Sequence, residues 1–264
     1  MSGTEHCTVE RSGHTLVVTL NRPEVKNAFS PQMLVGMLDA WIELDADDAL
    51  RCAVLTGAGG SFSSGMDLKS FLDPAGNPYR SRFEEDPDLH WKALLRHHHP
   101  RKPLIAAVEG FAVAGGTEIL EATDIRVAGE SAVFGVFEVR RGLFPLGGST
   151  VRLARQIPYT VAMELLLTGR EMKADEALRV GLIGRVVPDG TALEAAMALA
   201  EAVCSNGPLA VEAVKASVRA ADCLGEDEAL ALELEIGWPI FSTEDAKEGP
   251  KAFAEKRPAD YKRR

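Results

Sequence analysis

FAVAGGTEILEATDIRVAGESAVFGVFEVRRGLF, from Phe111 to Phe144, decides how this chain is read. It opens with a small-residue turn, Ala112 to Gly116, that runs into a helical segment, Thr117 to Ala122, carrying Glu118. Two short strands are predicted next, Ile125 to Ala128 and Ala132 to Phe134. A second acid, Glu138, then stands inside the apolar run Val136-Phe137-Glu138-Val139. A buried carboxyl is costly unless it is paired, hydrogen-bonded or used in chemistry. Apolar surroundings also raise its pKa toward the range that suits proton transfer.

Working outward, the chain repeats a strand-turn-helix pattern. His14 to Leu20 alternates and is rich in β-branched residues, which predicts a strand ending at Asn21-Arg22-Pro23. Ser30-Pro31 has the form of a helix start, with Ser at the N-cap and Pro in the first turn. Leu34, Met37, Leu38, Trp41 and Ile42 then recur at helical spacing. Cys52 to Thr56 and Leu104 to Val108 read as buried strands, and Leu72 to Asp88 as a polar loop. Helices are predicted over Val151 to Gln156, Val161 to Leu167 and Ala174 to Val180, and a strand over Leu182 to Val187. After Pro188 the pattern becomes helical: Ala192 to Cys204, Leu209 to Ala220 and Glu226 to Ile236, dominated by alanine and leucine. The division expected is a core at 1–190 that holds the site and a helical region at 191–264 that packs on it or on another subunit.

Composition removes several function classes. The 264 residues carry a formal charge of −10, which disfavours a nucleic-acid surface. No apolar run approaches the ~20 residues of a membrane helix, and the N-terminus has no signal-peptide pattern. A cytoplasmic protein is expected. Cys7, Cys52, Cys204 and Cys223 lack metal-ligand spacing and read as free thiols. His97-His98-His99 points in three directions on any helix and makes no ligand pair. Gly57-Ala58-Gly59-Gly60 follows a strand, but Phe62 occupies the third glycine position of a dinucleotide fingerprint and no helix starts there.

Two small-residue turns either simply bend the chain, as such residues often do, or carry chemistry. Phe62-Ser63-Ser64-Gly65-Met66-Asp67-Leu68 follows one strand, and Ala114-Gly115-Gly116-Thr117-Glu118 follows another and begins a helix. Backbone N–H groups at such points have no intrahelical partner and sit in the positive end of the helix dipole. Two of them converging on one oxygen make an oxyanion hole.

Several ordered motifs resemble the enoyl-CoA hydratase/isomerase (crotonase) superfamily over nearly the whole chain. They are Leu20-Asn21-Arg22-Pro23 with Asn27-Ala28, the Ser61 to Leu68 turn, Ala106-Ala107-Val108-Glu109-Gly110 and Gly115-Gly116-Thr117-Glu118. Asp124-Ile125-Arg126-Val127-Ala128, Phe134-Gly135 through Glu138 and Phe253-Ala254-Glu255-Lys256-Arg257 complete the set. The resemblance implies an α/β fold, a crotonase-like spiral of ββα units with a C-terminal helical trimerisation region. It implies homotrimers, often paired into hexamers, and a coenzyme A thioester as substrate, with no separate cofactor and no metal.

The resemblance also implies site residues. The amides of Ser64 and Gly115 would hold the thioester oxygen. Ser64, Gly65, Met66, Asp67 and Leu68 would line the coenzyme path, with Ala28 beside it and Lys26 near the coenzyme's phosphates. Pro145 and Leu146 would border the site, and Phe253 and Lys256 would reach a neighbouring subunit's coenzyme. Glu118 and Glu138 fall on the two acid positions of the hydratases. Together they imply syn addition of water to a trans-2-enoyl-CoA, giving a 3-hydroxyacyl-CoA as in β-oxidation, with Glu138 as the main acid/base and Glu118 activating water. Double-bond isomerisation and non-catalytic acyl-CoA binding are the alternatives. The chain departs from the pattern at Ser64, where many relatives carry alanine, and at Leu146, which follows Pro145 in place of glycine.

Overall fold

The computed structural model describes residues 2–72 and 77–264. Strands β1 (Cys7–Ser12) and β2 (Thr15–Leu20) form a hairpin, followed by helix α1 (Pro31–Ala46) and strand β3 (Cys52–Gly57). Short helices α2 (Leu68–Leu72), α3 (Arg80–Glu85) and α4 (Leu89–Ala93) lead to β4 (Leu104–Val108). Strand β5 (Phe111–Val113) enters helix α5 (Gly115–Leu120), and β6 (Ile125–Gly129) and β7 (Val133–Gly135) come next. Then follow α6 (Ser149–Gln156), α7 (Tyr159–Thr168), β8 (Met172–Lys173), α8 (Ala174–Val180) and β9 (Arg185–Val187). Helices α9 (Ala192–Cys204), α10 (Pro208–Ala221), α11 (Glu226–Gly237) and α12 (Asp245–Glu255) close the chain.

The main sheet has the order β1-β2-β3-β4-β6-β9, parallel except for the β1–β2 hairpin. Parallel strands need both faces covered, and the sequence of β3 and β4 does this by alternation. Ala53, Leu55, Leu104, Ala106 and Val108 join the large core that includes α1, whereas Cys52, Val54, Ile105 and Ala107 pack with Ala192, Ala196 and Ala200 of α9 on the other face. Helix α9 therefore covers the sheet, although the sequence groups it with the later helices. Helix α1 begins as expected: the Ser30 hydroxyl accepts the Met33 amide at 3.1 Å. At its other end the buried Lys102 ammonium donates to the carbonyls of Leu44 and Asp47.

A second ladder lies beside the first. Strand β5 pairs in parallel with β7, β7 pairs antiparallel with β8, and parallel bridges join Ser63 to Ala112 and Phe29 to Met66. Each turn of the spiral thus contributes one rung to a smaller sheet, and this brings the two small-residue turns side by side. The four cysteines are free thiols.

Three expectations are corrected. Strand β1 precedes the first strand read from the sequence. Residues 73–76 of the expected Leu72 to Asp88 loop lie outside the described residues, and the remainder contains α3. Helix α12 occupies Asp245–Glu255, beyond the three helices read after Pro188.

Candidate active site

Helix α5 is buried over its whole length, and its N-terminus is set by backbone geometry. Ala114 has φ 51° and ψ −128°, a region costly for a residue with a side chain. Two contacts hold it there: its amide donates to the Gly135 carbonyl at 2.7 Å, and the Thr117 hydroxyl donates to the Ala112 carbonyl at 2.6 Å. Gly116 must be glycine, because a Cβ there would stand 2.5 Å from the Ser63 carbonyl oxygen. The turn thus presses against the Ser63–Met66 segment and leaves the Gly115 N–H without a protein acceptor among the described residues.

The second amide donor is not the one expected. The Ser64 N–H donates to the Lys26 carbonyl at 2.9 Å and is committed to holding the 22–28 loop. Two residues on, the bridge to Phe29 uses the Gly65 carbonyl (2.8 Å) and the Asp67 amide (3.0 Å). In a parallel ladder the residue between these two turns its own N–H to the opposite side. That residue is Met66, and its amide meets no acceptor among the described residues. Gly65 touches Gly115, whose nitrogen lies 2.8 Å from the position of a Cβ on Gly65. The neighbouring free donors are therefore Met66 and Gly115.

These donors open on a cavity of about 690 Å³. Glu118 and Glu138 both line it. Glu118, only 6% exposed, has its pKa pushed up to about 7 by burial first and by the charge of Glu138 second. The backbone amides of Ser149, Gly147 and Gly148 oppose this rise, the first reaching Oε1 at 3.4 Å. Glu138 opens the 3-10 turn Glu138–Arg141 and does not lie on a strand. Burial raises its pKa as well, against its own backbone hydrogen bond and the Arg141 charge, and its Oε2 is buried with no hydrogen-bond partner. The acids thus face one space, and burial raises the pKa of each.

Other expected residues divide into two groups. Lys26, Ser64, Met66, Leu68, Gly115 and Leu146 line the cavity, with the Lys26 ammonium 4.0 Å from the centre of the Phe111 ring. Leu146 borders the space near Glu118, as its position after Pro145 suggested. Ala28, Gly65, Asp67 and Pro145 stand behind this lining. Asp67 is a structural acid that binds Arg22 at 2.9 Å and caps α2 through the Lys69 and Ser70 amides. The Ala28 carbonyl accepts from the same Arg22. Phe253 and Lys256 lie outside this cavity, Phe253 being 87% exposed on α12.

The sequence analysis missed His90, Trp91 and Leu94, on and after α4, and Phe137 and Phe144, all of which line the cavity. It also missed Ser149 and Glu121. The acid at Glu121 was visible three residues after Glu118, a spacing that puts both on one helix face. The three adjacent histidines lie in a turn after α4, where His97 contacts Asp88, and no group of metal ligands occurs among the described residues.

The family model described as enoyl-CoA hydratase/isomerase matches residues 10–264. Enoyl-CoA hydratase EchA19 of Mycobacterium tuberculosis is 54% identical over 257 residues, covering 97% of this chain and 96% of that protein. The (E)-benzylidenesuccinyl-CoA hydratase of Thauera aromatica is 39% identical, covering 95% of this chain and 96% of that one. Among solved structures, an enoyl-CoA hydratase from Mycobacterium tuberculosis H37Rv superposes with a TM-score of 0.91 at 42% identity, over 99% of this chain and 100% of the other.

Proposed function

The chain belongs to the enoyl-CoA hydratase/isomerase family, and from that premise we propose how its cavity works. It is a hydro-lyase that adds water reversibly to a trans-2-enoyl-CoA and yields a 3-hydroxyacyl-CoA. The observation that carries the assignment of roles is the pair of acids, Glu118 and Glu138, both raised in pKa and both facing the cavity beside the Met66 and Gly115 amides.

The thioester carbonyl accepts hydrogen bonds from the Met66 and Gly115 N–H groups. Glu118, ionised, takes a proton from water as the oxygen bonds to C3. The electrons of the C2–C3 double bond move toward the thioester, and the charge gathers on the carbonyl oxygen where the amides stabilise it. Glu138 supplies a proton to C2 on the same face, which makes the addition syn. The Glu138 charge raises the Glu118 pKa, and the reaction needs one carboxyl ionised and the other protonated. Coenzyme A enters as part of the substrate, and no separate cofactor takes part.

Lys26 at the cavity mouth suits the coenzyme's phosphates. The exposed apolar faces of α10 and α11 suit a trimer or a pair of trimers, in which Phe253 and Lys256 would reach a neighbour's coenzyme. No helix among the described residues is long and apolar enough to cross a membrane. A cytoplasmic place in acyl-CoA β-oxidation is the setting we assign.

The test is a panel of trans-2-enoyl-CoA thioesters of increasing acyl size, followed by loss of absorbance of the conjugated double bond. Hydration is expected, and Glu138→Gln should nearly abolish it while thioester binding persists. Full activity in that variant removes Glu138 from the mechanism. Rearrangement of a 3-enoyl-CoA without water addition would favour isomerisation instead.

A further inference from the structure

A third carboxyl lies behind the two that face the cavity. Glu121 is 3% exposed at the end of α5. Its Oε1 accepts the Ser149 hydroxyl at 2.8 Å, and its Oε2 is buried without a hydrogen-bond partner. The charged groups that face it are Glu118 on its own helix, Arg126 from β6 and Arg152 from α6. Neither arginine bonds to it. Arg126 donates to the Leu182 and Thr123 carbonyls, and Arg152 to the Leu95 and Gly147 carbonyls. Burial comes first in pushing the Glu121 pKa up, to about 8, against the Ser149 hydrogen bond. Burial thus favours its neutral form.

A buried acid with one hydrogen bond is a poor way to fill a helix face beside Ile119 and Leu120, where an apolar side chain would cost less. The bond it makes explains its presence. Ser149 is fully buried and bridges two acids: its hydroxyl goes to Glu121 and its amide to Glu118. We propose that Glu121 is a positioning residue for the hydration reaction, acting through Ser149 to hold the 147–149 amides against the Glu118 carboxylate. This role rests on the hydratase reading above. Without the Glu121 acceptor the Ser149 hydroxyl has no fixed direction, the loop relaxes, and Glu118 loses an amide that favours its ionised form.

The experiment compares Glu121→Leu, Glu121→Gln, Ser149→Ala and the double variant Glu121→Leu/Ser149→Ala with the active wild type. Glu121→Leu and Ser149→Ala should each lower kcat about tenfold with KM within about twofold, as expected for a small misplacement of a reacting group. Glu121→Gln keeps an acceptor for the hydroxyl and should restore kcat to within about threefold of wild type. The double variant should be no worse than either single one, because both break the same link. In Glu121→Leu and Ser149→Ala the acidic limb of the pH profile should move to higher pH. Wild-type kcat with an unmoved limb, or losses that multiply in the double variant, overturns the proposal. If Glu121→Leu does not fold, Ser149→Ala decides in the same way. The titration of Glu118 followed by carboxyl-carbon NMR needs no turnover. An unmoved Glu118 in Ser149→Ala overturns the positioning role even if the wild type hydrates none of the thioesters, an outcome that would separately remove the hydratase reading.

Discussion

A methyl group on Gly147 would stand 2.5 Å from Oε2 of Glu118 and 2.7 Å from its carboxyl carbon. The loop before α6 is packed directly on the Glu118 carboxyl, and its lack of a side chain there is what lets Glu118 face the cavity. Gly147→Ala should therefore push the carboxylate out of line. A displacement of about 1 Å costs on the order of 100-fold in rate, and the loss should appear in kcat, with thioester affinity measured by calorimetry little changed.

Replacing a single backbone amide by an ester distinguishes the two candidate donors in the 64–66 turn. At Met66 the ester removes an N–H aimed at the thioester oxygen, and kcat should fall by about 10²–10³-fold. At Ser64 it removes the bond to the Lys26 carbonyl, which should cost about 1 kcal/mol of stability and leave kcat within about threefold. Steady-state kinetics and thermal unfolding of both semisynthetic proteins check this.

The sequence made much of this site readable, and the limits have physical causes. The Ser30 cap, the buried strands β3 and β4 and the Gly115–Glu118 turn rest on local signals, and all appear where expected. The choice between Ser64 and Met66 rests on pairing register with Phe29, which comes from a distant part of the chain and reverses its sense at each step of one residue. Strand β1 escaped notice because half its residues face solvent, so Glu10, Arg11 and Ser12 give it no apolar alternation. Glu121 escaped because Ser149, the residue that gives it meaning, is 28 positions away.

The raised pKa of Glu118 has a consequence for stability. In the folded chain it titrates near 7, against an ordinary value of 4.5, so between these values the native state holds a proton that the unfolded state has lost. Stability therefore falls as pH rises across that window, and the penalty is complete above it. Glu118→Gln has no such penalty. It should unfold later than wild type in alkaline buffer, by about 3 kcal/mol, with the difference shrinking to near zero below 4.5, while hydration is lost. Denaturant melts across pH measure this directly.

Removing the Glu138 charge should lower the Glu118 pKa, since Glu138 is the second cause of its rise after burial. In Glu138→Gln the Glu118 carboxyl should still titrate above its ordinary value, because burial persists. Carbon NMR of the carboxyl group reports the shift, and an unchanged value would separate the two acids electrostatically.

Val214 and Val218 of α10 stand one helical turn apart and are 64% and 69% exposed, and Leu230 and Leu234 repeat the arrangement on α11. If these faces close an assembly, Val218→Asp with Leu234→Asp should reduce the sedimenting mass to that of one chain. Unaltered mass would place the contact elsewhere.

Helix α5 unites the free Gly115 amide and the Glu118 carboxyl in one six-residue unit with no solvent-facing side. The cavity is also lined from α4 and the 143–146 segment, whose Leu143, Phe144 and Leu146 are exposed. Helix α5 and these lining residues thus lie on separate pieces of chain. Redesign of acyl preference can proceed by exchanging the outer piece, and the inner one can be inherited intact.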